Sequence, residues 1–408
     1  MENIIDKQWL CVHNWVYVSI LTDVVLLYNT KNGQYILTKN PKHLLLVNQL
    51  QARQNLGAII IENCLLQSAE YKNFIEEAQQ KNIFSLIKYI ENQPKPIQLM
   101  PILNIQRDVH KLKKDIDRSL GEEIIFYLTE LNLFVNNKCS LKCDFCENAV
   151  KQFSCCTAKN NKTNLVFSIL QSIAKQVKIL TGVRINILGG NIFQYPDLIK
   201  IQTVFPVKNI HYWFYYSNFK PYIMNSNSYF EVLIDLPVKK DILTELIKIL
   251  PKETTKFHFI VSSIENVESA QYVIKELSID NFEFHPFYDG ENIDFFEKNV
   301  FLHQDDITSD IIFQRKIFCN QALNTNFFGK LTILPNGEVF ANLNTVNLGN
   351  IKDKSILQLI YKELDTNTVW RKTRIQKPCS ECIYQYLCPP LSNYEFVIGK
   401  SNLCHVNQ

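Results

Sequence analysis

The sequence predicts a mixed α/β protein whose largest part is a parallel sheet. The main observation is that short apolar segments alternate with segments of helical periodicity from residue 124 to about residue 305. Strands that alternate with helices form a parallel sheet, either open or closed into a barrel. The composition is that of a folded chain with ample core material, since 46% of the 408 residues are hydrophobic and 20% are charged. This length is sufficient for two or three domains.

Residues 1–95 form the first predicted unit, a small α+β domain. Its predicted strands lie at 16–21, 24–28, 35–37 and 58–61, and its predicted helices lie at 41–54 and 69–80. The strands are rich in β-branched and aromatic residues, and a turn sequence ends at Gly33. Pro94 and Pro96 then interrupt regular structure, so residues 96–123 are predicted to be a linker with some helix.

Residues 124–305 carry the alternating pattern. The predicted strands lie at 126–135, 184–188, 211–216, 231–236, 256–261 and 282–287, and the predicted helices lie at 165–180, 239–250 and 266–277. In parallel sheets the reactive loops lie at the carboxyl ends of the strands. Cys139, Cys143 and Cys146 follow the first of these strands, and Gly189-Gly190 follows the second. The pattern therefore predicts that the cysteines and the glycines meet at one edge of the sheet.

Residues 306–408 form the third predicted region, which contains a hairpin and a group of cysteines. Asn336-Gly337 separates two short apolar segments, at 331–334 and 338–341, and supports the positive φ of a tight hairpin turn. The cysteines that follow are Cys379, Cys382, Cys388 and Cys404. Four thiolates suit either an iron–sulfur cube or a zinc ion, and spacing alone does not decide between them.

Charge and composition exclude several classes of partner. Lysine and arginine number 43 against 40 for aspartate and glutamate, and the signs are interspersed. We therefore expect no nucleic-acid partner and no anionic membrane surface. The sequence has no apolar run of the ~18 residues that a spanning helix needs. Twelve cysteines without an export signal indicate reduced thiols or metal ligands, so we expect a cytoplasmic protein.

Cys139, Cys143 and Cys146 form the most informative motif, with the spacing C-x3-C-x2-C. Three thiolates can hold an iron–sulfur cube and leave one iron without a protein ligand, where an outside molecule can bind. Zinc sites usually take pairs of ligands from two places, and a disulfide framework would not crowd three cysteines into eight residues. The motif favours a reaction centre, and a structural metal knuckle is the alternative.

This cysteine motif, with Phe145 between its second and third cysteines, resembles that of the radical S-adenosylmethionine (SAM) superfamily. The strand ending at Gly189-Gly190-Asn191 is similar to the Gly-Gly-Glu-Pro segment of that family. Tyr216-Ser217-Asn218 resembles its Thr-Asn-Gly motif, and Leu233-Ile234-Asp235 resembles its Ser-Leu-Asp motif. The resemblance extends to a SPASM-like C-terminal extension and a PqqD-like, winged-helix leader-binding domain at residues 1–95. The nearest branch is that of the Bacteroidales peptide maturases with double-glycine leaders, which includes pseudo-radical SAM members.

The resemblance implies a partial (β/α)6 barrel at residues 124–305 and a SAM-binding [4Fe-4S] cluster. Cys139, Cys143 and Cys146 would ligate iron, and Gly189 and Gly190 would let the backbone approach the methionine part of SAM. The other expected cofactor contacts are Phe145, Asn191, Ser217, Asn218 and Asp235. For Ser217, Asn218 and Asp235 a simple turn at a strand end is the alternative.

Two departures from the family pattern weaken the expected cofactor site. Asn191 stands where the family has glutamate, and Ile192 stands where it has proline. A carboxylate would accept a charge-assisted hydrogen bond from the SAM ammonium group, roughly twice as strong as a neutral one. The amide of Asn191 still offers a carbonyl acceptor, so weaker SAM binding is expected.

The C-terminal cysteines imply a single auxiliary site. A SPASM domain of the usual kind carries two clusters, and the first would have ligands at Cys319, Thr325, Asn342 and Ser392, of which only the first is a cysteine. The second falls on Cys379, Cys382, Cys388 and Cys404, and all four are present. The expected group is an auxiliary [4Fe-4S] cluster, with zinc as the alternative.

The sequence thus predicts a radical SAM enzyme that modifies a ribosomally made precursor peptide, with an electron donor as its second partner. The alternative is a pseudoenzyme that binds the peptide and assists a partner enzyme, and a third hypothesis is a zinc-stabilised binding protein. His285 and Tyr288 could face the cavity, although a strand histidine is more often structural. Cys155 and Cys156 are left without a role.

Overall fold

The computed structural model describes residues 7–97, 122–141, 143, 145–156, 163–221 and 227–406, and it has a mixed α/β architecture. Its strands, numbered β1–β15, span Lys7–Val12, Val16–Ile20, Val25–Asn29, Tyr35–Thr38, Ala58–Glu62, Phe84–Lys88, Glu130–Asn136, Arg184–Gly189, Ile210–Tyr215, Tyr229–Ile234, Thr255–Val261, Phe282–Pro286, Lys330–Ile333, Glu338–Phe340 and Gly349–Asn350. Its α-helices, numbered α1–α12, span Pro41–Gln51, Asn63–Leu66, Lys72–Gln80, Cys146–Ala149, Phe167–Val177, Lys240–Ile249, Ile264–Leu277, Ile293–Asn299, Gln304–Thr308, Gln314–Ala322, Ile356–Thr366 and Asn393–Ile398.

The largest sheet has nine strands in the order β12-β11-β10-β9-β8-β7-β13-β14-β15. From β7 to β12 the strands lie side by side in chain order, and every neighbouring pair is parallel. β13 extends this sheet in parallel beside β7, and β14 and β15 continue it as an antiparallel hairpin and edge. The predicted parallel sheet is confirmed, and the carboxyl ends of β7 to β12 meet at one edge. Closure into a partial barrel stays a prediction.

The two faces of this sheet differ in chemistry because side chains alternate along each strand. One face carries buried apolar residues such as Leu133, Ile187 and Val232, which belong to the same core as the inner residues of helices α5, α6 and α7. The other face carries Asn186, Glu231 and other polar side chains. A parallel sheet covered on both sides is usually apolar throughout. The buried polar side chains on this face therefore indicate a role other than packing of the apolar core.

The N-terminal unit contains two three-stranded sheets, in the orders β5-β1-β6 and β2-β3-β4, with helices α1, α2 and α3. Its core is formed by residues such as Leu10, Val12 and Phe74. Strands β1 and β6 were not predicted from the sequence, and β1 is the central strand of its sheet. The winged-helix assignment stays a prediction.

The N-terminal unit packs against the C-terminal region. Leu26 and Tyr28 of β3 share a buried cluster with Tyr384 and Leu387, in the segment between the C-terminal cysteines. The hydroxyl of Tyr28 accepts a hydrogen bond from the backbone nitrogen of Ile312 at 2.8 Å. The two ends of the sequence therefore share one apolar interface.

Four further expectations can be compared with the described residues. Most of the predicted linker at 96–123 lies outside the described residues, which resume with a 3-10 helix at Glu122–Tyr127. The first strand of the parallel sheet, predicted at 126–135, begins only at Glu130 because that helix precedes it. The predicted hairpin is confirmed as β13 and β14, and Gly337 lies at its turn with a φ of 92°. Across the ranges described above, no helix is both long enough and apolar enough to cross a bilayer.

Candidate cofactor site at the carboxyl edge of the sheet

The loop with the first three cysteines begins directly after β7. Cys139 and Cys143 are half-buried, and Cys146 is buried at the first position of α4, where its backbone nitrogen donates to Cys143 O at 3.3 Å. A hydrogen bond with the Cys146 thiol, together with burial and the nearby Cys139 and Asp235, raises the pKa of Cys143. The thiols of Cys143 and Cys146 are therefore brought into direct contact at the start of α4.

Two further thiols lie beside this loop. Cys155 and Cys156 are buried, and the Cys156 thiol forms hydrogen bonds with the thiols of Cys146 and Cys155, which raise its pKa. The sequence assigns neither residue a role, because adjacent cysteines rarely both bind one metal. The structure places four thiols in one continuous chain of contacts: Cys143, Cys146, Cys156 and Cys155.

Gly189 and Gly190 allow the cysteine loop to pack against the end of β8. A Cβ on Gly189 would lie 2.8 Å from Asn136 O, and one on Gly190 would overlap the backbone carbonyl of Lys138. Gly190 N donates to Asn136 O at 3.1 Å, and Asn191 N donates to Lys138 O at 2.5 Å. The space that a side chain would need is therefore filled by the start of the cysteine loop. The predicted contact of these glycines with SAM stays a prediction.

The side chain of Asn191 forms a hydrogen bond with the nearby backbone. Its Oδ1 accepts from Phe193 N at 3.1 Å, which caps a short 3-10 helix at Ile192–Gln194. Its backbone carbonyl accepts from Asn136 Nδ2 at 2.9 Å. The amide oxygen that sequence reasoning assigned to SAM thus already has a donor, and the assignment stays a prediction.

A cleft of about 380 Å³ opens at the carboxyl edge of the sheet and is lined by Cys143, Phe145, Tyr215 and Asp235 among others. This volume is within the range of small-molecule sites. The hydroxyl of Tyr215 donates to Asp235 Oδ1. Burial raises the pKa of Asp235, and burial with that hydrogen bond raises the pKa of Tyr215. Of the residues predicted from the sequence, Cys143, Phe145 and Asp235 meet at this cleft.

Ser217 and Asn218 follow β9 in a 3-10 turn at Tyr216–Asn218 and do not line the cleft. Asn218 is buried, and its Nδ2 has no hydrogen-bond partner in the part of the chain that the structure describes. A buried amide nitrogen without an acceptor is costly, and such groups in native proteins usually meet water or a ligand. Asn218 is therefore the better candidate of the two for a ligand contact.

The four C-terminal cysteines surround one small cavity, which Arg374 and Asn402 also line. Arg374 Nη1 lies 3.8 Å from Cys379 Sγ, and Asn402 Nδ2 lies 3.6 Å from Cys404 Sγ. Burial raises the pKa of Cys388 to about 12 and also raises that of Cys379, despite the opposing charge of Arg374. Nitrogen donors directed at sulfur are the groups that stabilise metal-bound thiolates. The residues present therefore fit the predicted auxiliary site.

Three of the four positions expected to bind a first auxiliary cluster carry polar side chains, and these have protein partners: Thr325, Asn342 and Ser392. Asn342 Nδ2 donates to Asn393 Oδ1 at 2.7 Å, and Ser392 caps helix α12 through a capping box with Glu395. Thr325 Oγ1 accepts from Lys316 Nζ at 3.1 Å, and Cys319 is half-buried in α10.

A charged network on the polar face of the sheet is centred on Glu231, which sequence reasoning did not single out. Its carboxylate contacts Arg184 at 2.5 Å, His211 at 2.8 Å and His258 at 2.7 Å. Burial opposes its ionisation, but the hydrogen bonds from the two histidines outweigh burial and hold its pKa well below the usual range. These polar residues lie on the same face of neighbouring strands, and the sequence alone does not give the register that brings them together.

His258 extends this network to the next strand. Its Nδ1 lies 2.8 Å from Nε2 of His285, and Glu283 Oε2 lies 4.0 Å from the same Nδ1. Burial, reinforced by the charge of His258, lowers the pKa of His285 to about 4. The sequence alone indicates that His285 could face the cavity. Tyr288 lies beyond this strand, and its backbone is held by the side chain of Gln152.

Comparisons with known proteins give structural likenesses alone. No family model matches the chain. No curated protein matches it either. Streptococcus suis SuiB bound to S-adenosylmethionine aligns with a TM-score of 0.47 at 15% identity over 98% of this chain and 100% of that chain. SuiB bound to its precursor peptide SuiA gives 0.46 at 16% identity over the same shares. Native anSMEcpe with bound AdoMet gives 0.42 at 14% identity, over 67% of this chain and 96% of that one. With TM-scores below 0.5, none of these likenesses establishes a shared fold.

Proposed function

We propose that this protein is a radical SAM enzyme that modifies a ribosomally made peptide. The observation that carries the proposal is the meeting of Cys143, Phe145 and Asp235 at one cleft on the carboxyl edge of a parallel sheet. This is the edge at which ligands bind in sheets of this kind. The motifs of the sequence provide the class of chemistry, and the cleft provides a place for a small ligand.

Cys139, Cys143 and Cys146 would hold a [4Fe-4S] cluster, and the cleft beside them would hold SAM. When bound, the cluster supplies the electron that cleaves the sulfonium of SAM to a 5′-deoxyadenosyl radical. Asp235 offers a carboxylate that already accepts a hydroxyl hydrogen bond from Tyr215, so it suits the hydroxyl groups of a ribose. Phe145 and Phe287, with ring centroids 6.0 Å apart, form an apolar part of the cleft lining.

The N-terminal unit, residues 1–95, would bind the leader of the precursor peptide. Its sheets have edge strands, among them β5 and β6, whose outer edges have no partner strand within the described residues. Ile60 on β5 and Ile87 on β6 are 44% and 40% exposed. An extended peptide can add to such an edge, where backbone hydrogen bonds give affinity and alternate side chains give specificity.

Cys379, Cys382, Cys388 and Cys404 would hold one auxiliary [4Fe-4S] cluster, with zinc as the alternative. The proposed chemistry requires reduced thiols and an external electron donor, conditions that the cytoplasm provides. The domain organisation that we propose has the partial barrel at residues 124–305 and the SPASM-like region at residues 306–408, and β13 of the SPASM-like region joins the same sheet beside β7.

The test is anaerobic reconstitution with iron and sulfide, followed by an assay for 5′-deoxyadenosine with dithionite, SAM and the precursor peptide encoded beside the gene. We expect 5′-deoxyadenosine from the native protein and none from Cys143→Ser. Asp23→Asn, in a turn of the N-terminal unit, serves as the matched control and should retain the native rate. Absence of 5′-deoxyadenosine from a reconstituted native protein with full iron content would contradict the enzyme proposal.

One observation favours a pseudoenzyme as the second candidate. Asn191 stands where the family has a carboxylate, and one of the two lone pairs of its amide oxygen already accepts from Phe193 N. A pseudoenzyme would bind the peptide and assist a partner without cleaving SAM. Titration of SAM into the reconstituted protein distinguishes the two, because only SAM binding to the cluster changes its electron paramagnetic resonance spectrum. Zinc without iron or sulfide in anaerobically purified protein would instead support the zinc-stabilised binding protein.

A further inference from the structure

His258, Glu283 and His285 form a compact group of ligand atoms on the polar face of strands β11 and β12. One atom from each side chain lies within 4.8 Å of the others. His258 and Glu283 are directly opposed in the strand register, and His285 lies two residues further along β12. None of the three residues lines the cleft with Cys143, although Ile260, the register partner of His285, does.

Glu231 fixes the tautomer of His258 in the form that a metal ligand needs. Its Oε2 lies 2.7 Å from His258 Nε2 and accepts the hydrogen of that nitrogen. In the neutral form of the ring the lone pair lies on Nδ1, which is directed at His285 and Glu283. A carboxylate that holds the second nitrogen of a histidine is the usual outer partner of metal-bound imidazole. Arg184 and His211 hold Glu231 in turn.

We propose that His258, Glu283 and His285 bind a divalent first-row transition ion of the Zn²⁺ class. Two imidazole nitrogens and one carboxylate are ligands that such ions accept, and three protein ligands leave a position open. Glu283 also lines a polar cavity of about 400 Å³, together with Asn132, Lys330 and Thr332. The proposal does not depend on the proposed radical chemistry.

The ion requires only a small movement of the two histidines. Metal–nitrogen bonds of about 2.0–2.1 Å at a tetrahedral angle separate the two nitrogens by about 3.3 Å. The observed separation between His258 Nδ1 and His285 Nε2 is 2.8 Å, which is a direct hydrogen bond. The hydrogen bond thus satisfies both rings without an ion, and an opening of about 0.5 Å admits one.

Lys256 is the one competitor that the contacts identify among the described residues. Its Nζ lies 2.6 Å from Glu283 Oε2, and the two side chains are 36% and 48% exposed. Exposed ion pairs are weak, so the carboxylate can exchange the lysine for an ion. Removal of the lysine charge should therefore strengthen ion binding, an effect that a purely structural histidine pair would not produce.

Cobalt(II) titration of the anaerobically purified full chain tests the proposal. Thiolate sites give an intense sulfur-to-cobalt band in the near ultraviolet, whereas nitrogen and oxygen ligands give weak visible bands alone. We expect the native protein to bind one more equivalent of cobalt(II) than the double variant His258→Gln/His285→Gln. This additional equivalent should give weak visible bands and no sulfur-to-cobalt band. Glu283→Gln, whose side chain is exposed and tolerates substitution, should weaken that equivalent at least tenfold. Lys256→Met should tighten it several-fold.

His13→Gln is the matched control, because His13 is a histidine of the N-terminal unit that stacks on Trp15. It should bind cobalt as the native protein does. Circular dichroism of every variant confirms folding. Equal stoichiometry and equal visible spectra in the native protein, Glu283→Gln and the double histidine variant would overturn the proposal. So would an extra equivalent that appears only with the thiolate band.

Discussion

The two groups of cysteines differ in how far the surrounding protein encloses them. Cys143 lies on a loop and faces a cleft of about 380 Å³, and its neighbour Cys146 begins a single turn of helix. Cys379 and the other three C-terminal cysteines instead surround a small cavity with Arg374 as one of its walls. Structural metal sites are closed, and sites that exchange ligands keep an open side. The comparison predicts that the C-terminal group stabilises the fold and that the loop group performs chemistry.

The largest expected effect is on the stability of the C-terminal region. Cys379→Ser should remove a ligand from the closed site and cost several kcal/mol, since structural metal sites contribute folding free energy directly. Cys143→Ser should lose loop iron and leave the unfolding temperature nearly unchanged, because Cys143 lies on a loop beside an open cleft. Thermal unfolding and iron analysis of both variants measure the difference. Equal unfolding temperatures for the two variants would break the comparison.

The second effect concerns the buried ion pair beside the closed site. Arg374 Nη2 lies 2.6 Å from Glu395 Oε1, with side chains that are 9% and 5% exposed. Arg374→Met leaves a buried carboxylate without its partner and should cost about 3–5 kcal/mol of unfolding free energy. Lys377→Met is the matched control, because its ion pair with Glu381 is exposed, and its stability should equal that of the native protein. Urea unfolding measures both, and equal losses would contradict the role of burial.

The third effect concerns the packing of the open loop. Gly190→Ala would place a methyl group against the Lys138 carbonyl and displace the cysteine loop. We expect a cost of about 1–3 kcal/mol, typical of overpacking, and a lower iron content after reconstitution. Gly182→Ala is the control, since a Cβ there would have no neighbour within 4 Å. Normal iron content in Gly190→Ala would show that the loop position does not matter for cluster assembly.

The smallest effect is expected at the cleft itself. Tyr215→Phe removes the hydroxyl that donates to Asp235 and should cost about 1 kcal/mol of stability. If Asp235 binds the ribose of SAM, the same variant should change SAM affinity, measured by calorimetry on the reconstituted protein. Tyr212→Phe, which removes the hydroxyl near Gln202, is the control and should leave SAM affinity unchanged. An equal change of SAM affinity in both variants would contradict a contact between Asp235 and SAM.

Local patterns in the sequence predicted the parallel sheet because its strands and helices differ clearly in period. The helix predicted at 266–277 is α7, and the strand predicted at 256–261 is β11. Strand β1 was missed because no turn signal precedes Trp9, so the apolar segment has no visible start. Its role as the central strand of a sheet depends on pairing with β5 and β6, which are distant in sequence.

Contacts between distant segments explain what the sequence could not predict about the site. The occupied amide of Asn191 and the close approach of Lys138 to Gly190 depend on the path of a loop, which no local pattern records. The Glu231 network collects side chains from neighbouring strands whose register is known only after folding. The cysteines themselves were visible because their spacing is local.

The apolar interface between β3 and the C-terminal segment limits how the N-terminal unit can be studied. Ile383, Tyr384 and Leu387 are buried there together with Val24 and Leu26. A truncated chain that began after the N-terminal unit would expose these side chains to water and would be prone to aggregate. Loss of the proposed peptide modification in such a truncation would therefore have two possible causes, which are damage to the remaining chain and loss of leader binding. Point substitutions at the outer edges of β5 or β6 would separate the two causes.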